Sequence, residues 1–438
     1  MAAVIPQLSA RWRALPGMTP GVAFMVAGVV ALPVAALGLV LVAPGLAAGA
    51  YRSYPVLAVN HLFTLGWGTF VALGALHQLF PAMVGLSRRR DPVAGPQMAL
   101  ALAGLLVLLA GFLTRRPLLV ALGGSGVWVA TLLALWVVGA AARGRRRWPP
   151  AASGVVLAVL YLVLATTWGL LMGLNWTWPF WPRLLLRAGL GTHAALGLGG
   201  WFAQLIVSVS YYLVPRFTGA PPPSPRRVAL VLALLNAGVL LLVGAAFSAS
   251  RTLARLAAAV LAAAALLYAQ DVYRLLQHTR RQAPDLTIHH WWVIWGQTLA
   301  LAALAAAFAA GLLAGSRVGV AAVVLILTGW VTMAITGQLY KVTPFLMWYY
   351  RFARGLSPLE VPRLPAPYYP RAGVVAFALM AAGSTALALA VGSRLPGLAT
   401  AAALLLAAGA VTVAGLMVSW VRVVVAGGTP AGRVPDGA

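Results

Sequence analysis

Residues 66–81 read GWGTFVALGALHQLFP, residues 200–215 read GWFAQLIVSVSYYLVP, and residues 329–344 read GWVTMAITGQLYKVTP. Each stretch opens on Gly-Trp and closes on a proline fourteen residues after the tryptophan. A small residue (Gly74, Ser208, Gly337) stands seven after the tryptophan, and a ring (His77, Tyr211, Tyr340) ten after it. Trp67, Trp201 and Trp330 are separated by 134 and 129 residues, and a period near 130 fits three times into 438. A recurrence of this kind marks a repeated structural unit, so the chain reads as a triplication.

The solvent follows from composition. The chain is 62% hydrophobic and 8% charged, with a mean hydropathy of +0.93, far above what a water-soluble domain needs. Apolar runs of the roughly 20 residues that cross a bilayer recur twelve times. They lie near 20–43, 55–83, 97–113, 118–142, 153–173, 186–214, 228–247, 252–273, 288–313, 318–343, 372–393 and 396–424. The expected fold is therefore all-α and polytopic. One transmembrane domain covers 1–438, in repeat units of about 20–142, 153–273 and 288–424 with a Gly-Trp segment on spans 2, 6 and 10.

The net charge of +26 suggests a nucleic-acid partner only until its distribution is examined. Arg52, Arg115, Arg116, Arg183, Arg187, Arg251, Arg255, Arg317 and Arg394 fall on one side of the predicted topology. The other 22 basic residues fall on the side of both termini, in clusters such as Arg88-Arg89-Arg90, Arg145-Arg146-Arg147, Arg280-Arg281 and Arg351 with Arg354. That asymmetry is the positive-inside pattern. It places both termini in the cytoplasm, with lipid and not nucleic acid as the partner of the basic clusters. The first apolar run is too long for the core of a cleaved signal.

The chain has no cysteine, which excludes disulfides and thiolate-held metals. The aromatic stretch Asn175–Pro182 between spans 5 and 6 reads as an interfacial belt. The prolines at 221–225 and the stretch Pro358–Pro370 read as irregular links, because proline fixes the backbone and removes a donor. The tail from Gly427 reads as frayed.

At 100° per residue, offsets 0, +7, +11 and +14 from each tryptophan share one helix face. Trp67, Gly74, Gln78 and Pro81 form one such stripe, and its small residues admit a neighbouring helix closely. The stripe therefore reads as packing, with the proline ending the helix. His77, at the place of Tyr211 and Tyr340, reads as an interfacial aromatic, and His289-His290 beside Trp291-Trp292 as an interfacial anchor. Lys341 is expected to snorkel to water. All five carboxylates fall in loops or at span ends.

Two histidines remain inside the membrane near one face: His61 at the start of span 2 and His193 early in span 6. Each is open to haem or copper ligation and equally to a hydrogen-bonded structural role. Counted along uniform helices from the tryptophans, the two point roughly 160° apart, and nothing in the spacing suggests a shared metal.

With these residues in place, the chain resembles subunit I of the haem–copper oxidase superfamily, in particular its short bacterial oxidase-like members. The resemblance rests on twelve spans in three units, on His61-Leu62-Phe63-Thr64-Leu65-Gly66-Trp67 and on Tyr211-Tyr212-Leu213-Val214-Pro215. It implies a low-spin haem on His61, copper on His193, and respiratory-chain subunits as partners. The family's active members also carry a histidine pair on span 7 and two histidines on span 10; this chain has none on either span, and Gly197 stands where a tyrosine would follow the copper ligand. The resemblance thus implies an oxidase-like protein in electron transfer, gas sensing or respiratory-complex assembly, without a complete oxygen-reducing centre. The competing expectation is a haem-free twelve-span transporter or scaffold.

Overall fold

In the computed structural model, residues 20–85, 92–142, 148–279, 285–348 and 371–425 are described. The arginine clusters at 88–90, 145–147, 280–281 and 351–354 lie outside these residues, as do Pro358–Pro370, Asp91, Glu360, Asp436 and the tail.

Among the described residues there are twelve long apolar helices and no strand. They are α1 (Pro20–Ala47), α2 (Tyr54–Pro81), α3 (Ala94–Leu113), α4 (Pro117–Ala141), α5 (Pro150–Thr177) and α6 (Pro182–Thr218). The second six are α7 (Pro225–Ser248), α8 (Arg251–Gln277), α9 (Leu286–Ala309), α10 (Ser316–Leu346), α11 (Arg371–Gly392) and α12 (Pro396–Ser419). They match the twelve expected spans in order. Helix is the form apolar segments must take in lipid, because every backbone N–H and C=O is then satisfied within the segment. Many helices begin on proline, whose missing N–H costs nothing in a first turn. Ser224, Ser250 and Asp285 cap α7, α8 and α9 with side-chain oxygens.

Nine helices form a closed outer ring in the order α1, α3, α4, α5, α7, α8, α9, α11, α12, with α12 packed back on α1. The Gly-Trp helices α2, α6 and α10 fill its centre; 56–61% of an 18-residue apolar stretch of each is buried, against 22–44% for the other nine. Large apolar side chains such as Leu41, Leu106, Leu240 and Leu389 point outward and exposed, a surface suited to hydrocarbon and not to water.

Each central helix carries a π-helical segment around its Gly-Trp pair: Leu62–Thr69, Ala195–Ala203 and Leu325–Val331. The three segments meet at the axis and are tied by indole N–H groups. Trp201 donates to Thr69 on α2 at 3.0 Å, and Trp67 donates to Thr332 on α10 at 3.3 Å. Thr69 and Thr332 each stand two after their own tryptophan, and the same place on α6 is Ala203. Trp330 turns instead to Thr298 on α9, at 2.9 Å. An alanine has no acceptor, and a buried indole N–H must find one.

The stripe from each tryptophan is packing, as expected. A Cβ on Gly74 would lie 2.6 Å from the Gly21 carbonyl oxygen on α1. One on Gly154 of α5 would meet the Ser208 hydroxyl, and one on Gly337 would meet the His290 side chain on α9. Two expectations need correcting. Helix continues a short way past Pro81, Pro215 and Pro344, because proline removes one hydrogen bond but its own φ is helical. His77 is no interfacial aromatic: it is buried, with Nε2 2.7 Å from the Gln97 amide oxygen on α3.

Candidate functional site

The aromatic link between α5 and α6 is exposed, with Trp178 and Trp181 more than half open. Tyr54 at the start of α2 packs 6.0 Å from Trp176, so α2 and α6 begin on this same belt face. His61 and His193 stand just inside it.

The two imidazoles face one another across α2 and α6, ring centroids 6.1 Å apart and planes 25° from parallel. This overturns the expectation that they are unrelated. Counting 100° per residue fails because a π-helical segment, with its i→i+5 bonds, separates each histidine from its tryptophan. The direction of a side chain across such a segment is not that of a continuous α-helix.

Each ring is held at one nitrogen. His61 Nδ1 lies 2.8 Å from the Leu57 carbonyl, one turn back, and His193 Nδ1 lies 3.0 Å from the Ala165 carbonyl on α5. An N–H donated to a carbonyl places the neutral ring's lone pair on Nε2, the usual arrangement of a metal-binding histidine. Phe112 of α3 packs on the His61 ring at 4.9 Å. Gly169 of α5 lies flat against His193, where a Cβ would come within 2.9 Å of Cε1. Two indole bonds brace α5: Trp128 to Thr167 at 2.9 Å, and Trp168 to the Gly189 carbonyl at 3.0 Å. The arrangement offers two neutral nitrogen donors in a partly buried, rigid frame. Among the described residues no third His, Cys, Asp or Glu joins them in a ligand cluster.

The opposite face holds a polar cluster that the sequence reading missed. Asp271, near the end of α8, is almost wholly buried. Arg227 of α7 reaches it through Nε, at 3.0 Å from Oδ1 and 3.1 Å from Oδ2, and the Tyr211 hydroxyl donates to Oδ2 at 2.8 Å. Arg227 also donates to the Leu267 carbonyl and to Gln270. Lys341 does not snorkel to water: it pairs with Asp285 at the start of α9, and its ammonium stands 5.3 Å from the Phe217 ring. His290 and Trp291 are fully buried and so do not serve as an interfacial anchor. A lone acidic residue in an apolar run was the available signal for Asp271, since such a residue needs a partner.

No protein-family model matches the chain, and no curated protein matches it.

Proposed function

We propose that this chain is an oxidase-subunit-I-like protein of a respiratory inner membrane that holds one copper ion between His61 and His193. It serves electron transfer or the assembly of respiratory complexes, without oxygen-reducing chemistry of its own. In this reading the belt face is the outer face, both termini are cytoplasmic, and the spans group into three four-helix units. The Trp–Thr bonds, the three π segments and the matching approaches to α1, α5 and α9 support that grouping.

The observation that carries the reading is the 6.1 Å separation of the two rings, each with Nδ1 already engaged. Two metal–nitrogen bonds of about 2.0–2.1 Å plus two ring radii bring imidazole centroids roughly 6 Å apart, so the observed separation suits an ion bound by both rings once their Nε2 atoms turn toward it. Zinc prefers four ligands, whereas monovalent copper accepts two nitrogens, and copper heads the divalent affinity order for imidazole sites. The resemblance also implies haem. With Phe112 packed on one ring and the α5 backbone against the other, the surroundings fit a bare ion and not a haem shared by the pair.

Purified protein from copper-replete cells is expected to carry about one copper per chain by elemental analysis, and His61→Ala or His193→Ala to lose nearly all of it. A metal-free wild type under those conditions sinks the reading and favours a metal-free scaffold. A Soret band lost in either variant would replace copper by haem. Gly169→Val supplies a graded check. Its side chain must push the His193 ring aside, and the copper affinity is expected to fall by about 10–100-fold while the helical fold persists.

A further inference from the structure

The belt face carries charge of one sign only. Nine arginines stand on its six helix links or in the first turns beyond them, and all nine are exposed. Every one of these links lies among the described residues, and none contains an aspartate or glutamate. Four of the arginines gather at one place. Arg52 is two before Tyr54, Arg115 and Arg116 closely follow Phe112, and Arg183 is two after Trp181. Tyr54 and Phe112 both pack on Trp176, at ring separations of 6.0 and 6.3 Å.

The aromatic link at this place is fixed from within. Asn175 Oδ1 accepts from the Phe180 and Trp181 backbone N–H groups at 3.0 and 2.9 Å. Trp178 and Trp181 are held on that turn more than half exposed. An aromatic girdle for lipid belongs at the rim of a bundle, where ring helices meet the bilayer. This link instead runs from the ring helix α5 to the central helix α6, and Trp176 packs at the start of the central helix α2. The rings thus stand over the end of the bundle. Exposed aromatic side chains rimmed by polar residues in such a place mark a protein interface.

A route leads inward from the same place. Trp176 is nearly half exposed and touches the buried Phe112, which packs on the His61 ring at 4.9 Å. His61 in turn faces His193. Two ring contacts separate solvent from the histidine pair, and electron tunnelling decays steeply with the width of the gap it crosses. We propose that the belt face around Trp176 docks a soluble, acidic, one-electron carrier protein. The arginines steer its negative face, Trp178 and Trp181 anchor it, and the electron enters through Trp176. The receiving centre rests on the copper reading: the carrier is oxidised by one electron and Cu(II) between the histidines is reduced to Cu(I). No covalent bond forms or breaks in either protein.

An acidic [2Fe–2S] ferredoxin and a basic c-type cytochrome of similar size are the probes, titrated against full-length protein in zwitterionic nanodiscs. Metal-free protein is expected to bind the ferredoxin saturably and the cytochrome not at all. The ferredoxin affinity should fall about tenfold or more between about 20 and 200 mM salt. Arg52→Glu with Arg183→Glu should lower it by a similar factor, and Trp178→Ala by about tenfold; all three side chains are exposed, so the fold persists. With copper(II)-loaded protein, reduced ferredoxin should abolish the copper(II) EPR signal. Trp176→Leu is expected to slow that loss several-fold at saturating ferredoxin, with copper content and the starting EPR spectrum unchanged. Equal affinity for the two probes, insensitivity to salt or to the arginine reversals, or no binding overturns the docking surface. So does a cross-link from position 178 to lipid in place of the probe, and an unchanged rate in Trp176→Leu overturns the entry route. Copper loading without probe binding removes the surface and leaves the metal. Probe binding by a chain that takes no copper removes the metal, and the electron step with it.

Discussion

Replacing Arg227 with methionine is expected to cost about 3–5 kcal/mol of stability, because it leaves the Asp271 carboxylate buried with its charge unpaired. Asp271 is 2% exposed, and two of its three close donor contacts come from the Arg227 Nε. Only the Tyr211 hydroxyl would remain. The penalty is that of desolvating an anion, so removing the anion as well should relieve it. Arg227→Met with Asp271→Leu is expected to recover most of the loss, since apolar replacement of a buried pair is often neutral or better. Thermal unfolding of the two variants in a mild detergent measures this. An Arg227→Met variant within about 1 kcal/mol of wild type, the cost of an ordinary exposed pair, would show that water or lipid headgroups already screen the site.

Gly123→Leu should be comparably damaging for a steric reason. On α4, a Cβ at Gly123 would sit 2.3 Å from the Leu108 amide nitrogen and 2.7 Å from the Gly104 carbonyl oxygen of α3. The contact is reciprocal: a Cβ at Gly104 would meet the Val127 nitrogen at 2.6 Å, and one at Gly111 the Val120 nitrogen at 2.5 Å. Backbone touches backbone, as small residues permit between helices in lipid, and neither side has a rotamer that can move away. Overpacking costs about 1–3 kcal/mol even where side chains can adjust; here the helices must part, and the loss should exceed that range. Gly139 lies on the same helix with nothing within 4 Å of its Cβ position. Gly139→Ala is expected to be neutral or to stabilise by about 0.5–1 kcal/mol. Equal effects at the two positions, read as folded yield and unfolding temperature, would remove the close α3–α4 contact as a stabilising feature.

The reach of sequence reasoning can be followed residue by residue. Periodicity and hydropathy located all twelve helices, since the cost of an unsatisfied backbone in lipid depends only on local composition and length. The repeated Gly-Trp segments picked out three helices, and their +7 small residues a close helix approach; that these helices are the central ones, and that the neighbours are α1, α5 and α9, came from the fold. His61 and His193 were also visible as isolated imidazoles in apolar spans. Their meeting was not. It depends on two π segments that no spacing rule announces and on the mutual rotation of α2 and α6. His290 failed in the same way: adjacency to Trp291-Trp292 suggested an interface, while the fold buries it against Gly337.

The sequence by itself determined the solvent, the number and order of the helices, and the likeness of the three segments. These are properties of short stretches, each settled by its own burial and backbone hydrogen bonds. Only the tertiary structure decided which side chains share a space: Trp201 with Thr69, Arg227 with Asp271, His61 with His193. Such pairs join residues 44 to 132 positions apart. Their geometry is set by how rigid helices tilt, rotate and approach, which no single stretch of chain encodes alone.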